Sequence, residues 1–192
     1  IKNIEMYVSI DTVGKQAEYA RFGLNEKLFW FNVEKLLDRL PKLKLTIMST
    51  FTIFSIFNYD GLLTKISDLN NIYRNDNRSI TLSTYTAIYP IFLSVKILDE
   101  EQKIFIDKIL DKLEKDVLEN LTKYEIKHIK LVYEQASVIE DDFDIIYERK
   151  LFVSYVDEHD KRRGTHFLKT FPQLESFYYK IKNELWKKYG FL

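Results

Sequence analysis

Three alternating segments place polar side chains where strands of an α/β fold end. In the first, Ile4, Met6, Val8 and Ile10 share one face, and Glu5, Tyr7, Ser9 and Asp11 share the other. In the second, from about Leu43 to Ile53, Leu45, Ile47 and Phe51 oppose Thr46, Met48, Thr50 and Thr52. In the third, Ile91 to Leu98 after Pro90, Leu93, Val95 and Ile97 oppose Phe92, Ser94 and Lys96. With the apolar faces on helices, the inward set is Glu5, Ser9 and Asp11, then Thr46, Thr50 and Thr52, then Ser94 and Lys96. A closed, fully packed barrel fills such places with Val, Ile or Leu. Hydroxyls, carboxylates and a lysine point instead to a wet cavity that hydrogen-bonds a polar ligand. The same alternation also describes an edge strand or the solvent-facing side of a half-covered sheet.

The elements between these strands follow from local signals. Asp11-Thr12-Val13-Gly14 punctuates the chain, and a short helix is expected from Lys15 to Phe22, stopped by Gly23. On that helix, Arg21 reads by spacing as a surface ion pair with Glu18. Asn25 can cap a helix from Glu26 to Leu40, which Pro41 ends. A helical segment from about Tyr59 to Tyr73 precedes the polar loop 75–78 and a short strand-like piece, Ile80 to Ser83. Strands alternating with helices are the signature of βαβ units and a mostly parallel sheet.

From Asp99 onward the pattern is helical. Asp99 with Gln102 reads as a capping box ahead of Ile106, Ile109, Leu110, Leu113 and Val117. Thr122 with Glu125 reads as another. A helix is expected from about Asp142 to Val156, then a charged loop over 157–164, then a last helix from near Pro172 to before Gly190. The expected organisation is a partial (β/α) barrel over 1–98 with an α-helical extension over 99–192.

Composition narrows the function classes. The 192 residues are 46% hydrophobic and 15% aromatic, too apolar for a disordered chain. Twenty-nine basic residues balance 29 acidic ones, so no global field draws the protein to nucleic acid or an anionic membrane. The cations of 160–164 sit among Asp157, Glu158 and Asp160, and are read as a latch between helices and barrel rather than a phosphate footprint. No Cys occurs, which excludes thiolate-bound metal within these residues. His128, His159 and His166 lack ligand spacing; His128 is read on a helix surface and the others in loops, and no metal ligand is assigned. A nucleophile elbow and a phosphate-cradling glycine loop are both absent. No apolar run is long enough to span a membrane and no signal peptide is visible, so a cytoplasmic location is expected. Because Ile1 is not Met and Ile4 already alternates, an N-terminal part is expected to lie elsewhere.

One resemblance gives these segments a common context. VSIDTVGKQAEYARFGLN (8–25) resembles the fourth-strand region of radical S-adenosylmethionine (SAM) enzymes, where a Ser-x-Asp strand end precedes an E-Y-x-R-x-G helix. YPIFLSVKILDEEQ (89–102), the segment around KYEIKHIKLVYEQA (123–136) and DKRRGTHFLKTFPQLESF (160–177) resemble the C-terminal half of twitch-domain radical SAM proteins of phages and bacteria. The resemblance covers nearly the whole chain. It implies reductive cleavage of SAM at a four-iron four-sulfur cluster, giving a 5′-deoxyadenosyl radical that abstracts hydrogen from a substrate. The family's C-x3-C-x2-C loop follows the first barrel strand; this chain departs from the pattern, so either the first strands lie upstream or the protein is a degenerate relative.

By position, the resemblance implies that Ser9 and Asp11 contact the ribose or amino-acid end of SAM. Arg21 would pair with the methionine carboxylate, for which a planar guanidinium is suited. Thr50 and Thr52 would contact the adenosyl group or substrate, and Ser94 and Lys96 the substrate. Catalytic residues are left unassigned. The implied partners are a small-molecule or peptide substrate and a reductant such as flavodoxin or ferredoxin. The alternative is a non-catalytic α/β binding or scaffold protein derived from that fold.

Overall fold

The first alternating segment forms β1 (Ile4–Ser9). A computed structural model describes residues 4–75, 78–102, 104, 121–137 and 145–189. Helix α1 (Gly14–Ala20) follows, and Gly23 turns the chain at φ +89°, where a side chain would be strained. The Asn25 side chain accepts the Leu28 N–H at 2.9 Å and so starts α2 (Glu26–Arg39), which buries Trp30, Val33 and Leu37. Strand β2 (Leu43–Phe51), helix α3 (Tyr59–Tyr73) and strand β3 (Ser79–Thr86) complete two βαβ units.

All strands are parallel, in the order β1-β2-β3, so the described sheet is open and three-stranded. Its apolar face carries Leu43, Leu45, Ile47, Phe51, Ile80 and Leu82 into a core shared with Val33 and Leu37 of α2 and Leu62, Leu63 and Ile66 of α3. Across the other face run the rows Glu5–Lys44–Ser79, Tyr7–Thr46–Thr81 and Ser9–Met48–Ser83. Tyr7 (63%), Met48 (40%) and Tyr85 (59%) stand exposed there. A parallel sheet is ordinarily covered on both faces, so this solvated polar face is unusual. The fold is thus mixed α/β with a parallel sheet.

The outer edge of β3 is closed by side chains instead of a strand. Thr122 caps α4 (Lys123–Ser137) through the expected box: Glu125 Oε2 accepts the Thr122 N–H and hydroxyl, and Thr122 Oγ1 accepts the Glu125 N–H at 3.2 Å. The other Glu125 oxygen accepts the buried Leu82 N–H at 2.9 Å, and His128 Nε2 lies 2.7 Å from Thr84 O. An acidic side chain and an imidazole therefore occupy two ladder positions that a fourth strand would use. His128 is a sheet-edge partner, not the plain helix-surface residue expected.

Helices α5 (Ile145–Arg163), α6 (Phe167–Thr170) and α7 (Glu175–Tyr189) pack over the strand ends. Their contact is aromatic: Phe54, just beyond β2, lies 5.4 Å from Phe171 and 6.0 Å from Phe152, and Tyr19 of α1 lies 5.2 Å from Phe171. Residues of 1–98 and 99–192 accordingly share one core.

Two expectations are corrected. Ile91 to Leu98 is not a strand but two 3-10 turns, Ile91–Leu93 and Val95–Ile97. Ser94 Oγ accepts the Lys96 N–H, and Leu98 N–H bonds to Val95 O, so the amides that a ladder needs are satisfied locally. The third strand is β3 itself. The charged run 157–164 is not a loop: it continues α5 to Arg163, and Gly164, at φ +64°, ends it with its N–H on Asp160 O. The stripe expected over 106–117, and Phe143 in the next helix, lie outside the described residues.

Candidate functional site

The C-terminal ends of β1 and β2 meet through one carboxylate. Ile10 N–H still bonds to Met48 O, after which the chain leaves the ladder and Asp11 turns its side chain back. Asp11 Oδ1 accepts the Thr50 N–H at 2.8 Å, replacing a strand carbonyl. The same carboxylate takes Arg21 in bidentate fashion, Nε to Oδ2 at 2.8 Å and Nη2 to Oδ1 at 3.1 Å. Its side chain is 13% exposed and that of Arg21 38%, so the pair sits at the rim of the site.

Neighbouring loops hold this hub in place. Ser49 Oγ donates to Asp11 O, Thr12 Oγ1 donates to Asn58 O at 3.0 Å, and Asn58 Nδ2 donates to Val13 O at 3.2 Å. Gly61 permits that approach, because a Cβ there would fall 2.7 Å from both Asn58 Oδ1 and Val13 Cγ2. The two loops that follow β1 and β2 are thereby locked together.

The expected site residues divide into two groups. Asp11, Arg21 and Thr50 are brought together, and Ser9 lies exposed two residues before Asp11 at the end of β1. Arg21 does not pair with Glu18: Glu18 accepts the Glu26 N–H and lies 3.9 Å from Lys15. Among the described residues, Arg21 Nη1 makes no hydrogen bond within the fold. Thr52 turns inward on its own loop, its Oγ1 accepting the Phe54 N–H at 3.2 Å. Ser94 is buried as the cap of a 3-10 turn, and Lys96 is half-buried on that turn; neither lies on a strand. In the strand positions assigned to them stand Thr81, Ser83 and Tyr85, whose alternation was already visible in Thr81 and Ser83 of the short strand-like piece.

A second polar cluster borders the first and went unread as a site. His159 is buried within α5 and stacks on Tyr19 of α1, with ring centroids 4.3 Å apart. Arg163 Nη1 lies 2.7 Å from His159 Nε2; because a guanidinium only donates, Nε2 must accept, and the proton sits on Nδ1. Nδ1 reaches Thr165 Oγ1 at 3.1 Å, and that hydroxyl donates to Asp160 Oδ1 at 2.7 Å. Asp160 Oδ2 accepts the Phe167 N–H, closing the turn between α5 and α6. Burial, reinforced by the Arg163 charge, holds the imidazole pKa below its ordinary value. Burial likewise raises the Tyr19 hydroxyl, with Asp160 adding to it, so both rings are neutral. These contacts form a latch in which His159 holds α5 to α1, and Asp160 with Thr165 closes the turn into α6.

Comparison with known proteins finds no matching family, no similar curated protein and no similar solved structure. Among the described residues, no three His, Asp or Glu side chains converge into a metal-holding group, and no helix is long and apolar enough to cross a membrane.

Proposed function

We propose that this chain is the C-terminal part of a radical SAM enzyme, contributing later strands of a partial (β/α) barrel and the polar strand ends that hold SAM. The observation that carries the reading is the convergence of Ser9, Asp11, Arg21 and Thr50 at the C-terminal ends of adjacent parallel strands, beside a polar open face. These residues fit SAM by chemistry. Exposed hydroxyls on Ser9 and Thr50 match ribose hydroxyls, and Arg21 has Nη1 available for a carboxylate. Asp11 fixes the guanidinium plane and the Thr50 backbone, which makes it a positioning residue. The cluster does not fit these residues: a chain without Cys offers it no thiolate. When bound and reductively cut, SAM supplies a hydrogen-abstracting radical; the residues here bind and orient it. The substrate, small molecule or peptide, would enter from the open face, and a flavodoxin or ferredoxin would deliver the electron.

Titration calorimetry of SAM on the full chain tests the assignment. Wild type is expected to bind, and Arg21→Ala to bind at least about tenfold more weakly, which is about 1.4 kcal/mol. Unchanged affinity in Arg21→Ala, or no binding by wild type, overturns it. Retained binding of an unrelated polar ligand at the open face would favour the scaffold reading, which the missing thiolates support.

A further inference from the structure

A cavity of about 370 Å³ opens beside the latch, lined by Phe92, Tyr155, Ser154, Glu158, Arg162 and Arg163, with His159 at its wall. Its aromatic side is prearranged: Phe92, from the 3-10 turn after β3, packs against Tyr155 with centroids 5.3 Å apart. Tyr155 in turn lies 6.3 Å from Phe54, which places the cavity above the end of β2.

The cationic side is unusual in how Arg163 is held. Arg162 is paired with Glu158 one helical turn away, which offsets its charge. Arg163 instead donates to a neutral imidazole and lies over the Phe22 ring, 5.0 Å from its centroid. Neither contact is a carboxylate, and among the described residues none takes a hydrogen bond from Arg163. Asp160, the acid of the latch, is already committed to Thr165 and the Phe167 N–H. The fold therefore fixes a guanidinium by two directional contacts while leaving its charge largely uncompensated at the mouth of a half-apolar cavity.

We infer that this cavity binds a small organic anion, its carboxylate or phosphate on Arg163 and its flat apolar body against Phe92 and Tyr155. The volume suits a ligand of one or two rings. Arg162 and Glu158 form the rim and set the entrance. The inference rests on this cavity alone and stands whether or not the strand ends hold SAM.

NMR titration of the full chain with benzoate and with phenyl phosphate tests it, with inorganic phosphate as the ringless control. Wild type is expected to show saturable shifts of the Tyr155 and His159 ring signals with at least one aromatic probe, and about tenfold weaker binding of inorganic phosphate. Preference for benzoate identifies a carboxylate ligand; preference for phenyl phosphate identifies a phosphate. Arg163→Gln should weaken the preferred probe at least about tenfold. Should that variant fail to fold, Phe92→Leu, on a different element from the latch, should remove the advantage of the aromatic probes over inorganic phosphate. No saturable shift up to about 10 mM probe, or equal binding by wild type and a folded Arg163→Gln, overturns the inference. Aromatic preference persisting in Phe92→Leu also overturns it.

Discussion

Arg21 beside Asp11 and Arg163 over the Phe22 ring are guanidiniums whose charges the fold treats differently. Arg21, next to Phe22 in the chain, gives two donors to Asp11 and is half-buried at a strand end. Arg163 stacks on Phe22 from α5 and gives a donor to a neutral histidine. The first arrangement is structural: a carboxylate ties together a helix, a strand end and a backbone amide. The second holds direction without neutralising charge. A guanidinium matched by a carboxylate has little field left for a ligand beyond its remaining donor, whereas one matched by an imidazole retains it. The contrast assigns positioning to Asp11, one remaining donor to Arg21, and a largely unmatched charge to Arg163.

Four perturbations sharpen or break that contrast. Asp11→Ala should have the largest effect on stability, about 2 kcal/mol, because it removes the bond to the exposed Thr50 N–H and both bonds to Arg21. Urea denaturation reads it, and a loss within error would mean that the hub holds nothing together. Arg21→Lys comes next, at about 1 kcal/mol, since an ammonium cannot make the two-point contact at this partly exposed site.

The third is acidification. Folded His159 binds its proton less readily than in the unfolded chain, whose value is near the ordinary 6.5. Its contribution is complete above that value and is lost as pH falls through it toward the lower folded value, because the unfolded state then takes up more protons. Melting temperatures between about pH 7.5 and about pH 5.5 should fall, and His159→Phe should flatten the decline. An identical slope in that variant would place the sensitivity elsewhere. Smallest is Arg163→Gln, expected within about 0.5 kcal/mol of wild type at its exposed position while losing the aromatic anion. A large stability loss there would mean that Arg163, like the Arg21–Asp11 pair, holds elements together, and would dissolve the comparison.

Much of this was legible because it is local. Alternation in 4–11 and 43–53 predicts which side chains enter the core, and Asn25 and the Thr122–Glu125 box mark the starts of α2 and α4 where the structure has them. The misreadings also have local causes. Ile91 to Leu98 alternates apolar residues, but Ser94 bonds to its own backbone and tightens the segment into turns. The run 157–164 is so polar that its helical continuation, on an exposed face, resembles a loop. Once it is helical, the contact of His159 with Arg163 is simply i,i+4. In the sequence Glu125 is half of a cap, yet its second oxygen serves Leu82, 43 residues earlier.

By itself the sequence determined the two-faced strands, the helix starts and stops, the neutral charge balance, and the placing of Ser9, Asp11 and Thr50 toward strand ends. These depend on periodicity and on side chains bonding within a few residues of themselves. Only the tertiary structure decided that Asp11 would take Arg21 and the Thr50 amide, that α4 would close the β3 edge, and that Tyr19 would stack on His159. Such pairings are set by distances between elements: Glu18, three residues from Arg21, accepts the Glu26 N–H instead, and Arg21 reaches back ten residues to Asp11.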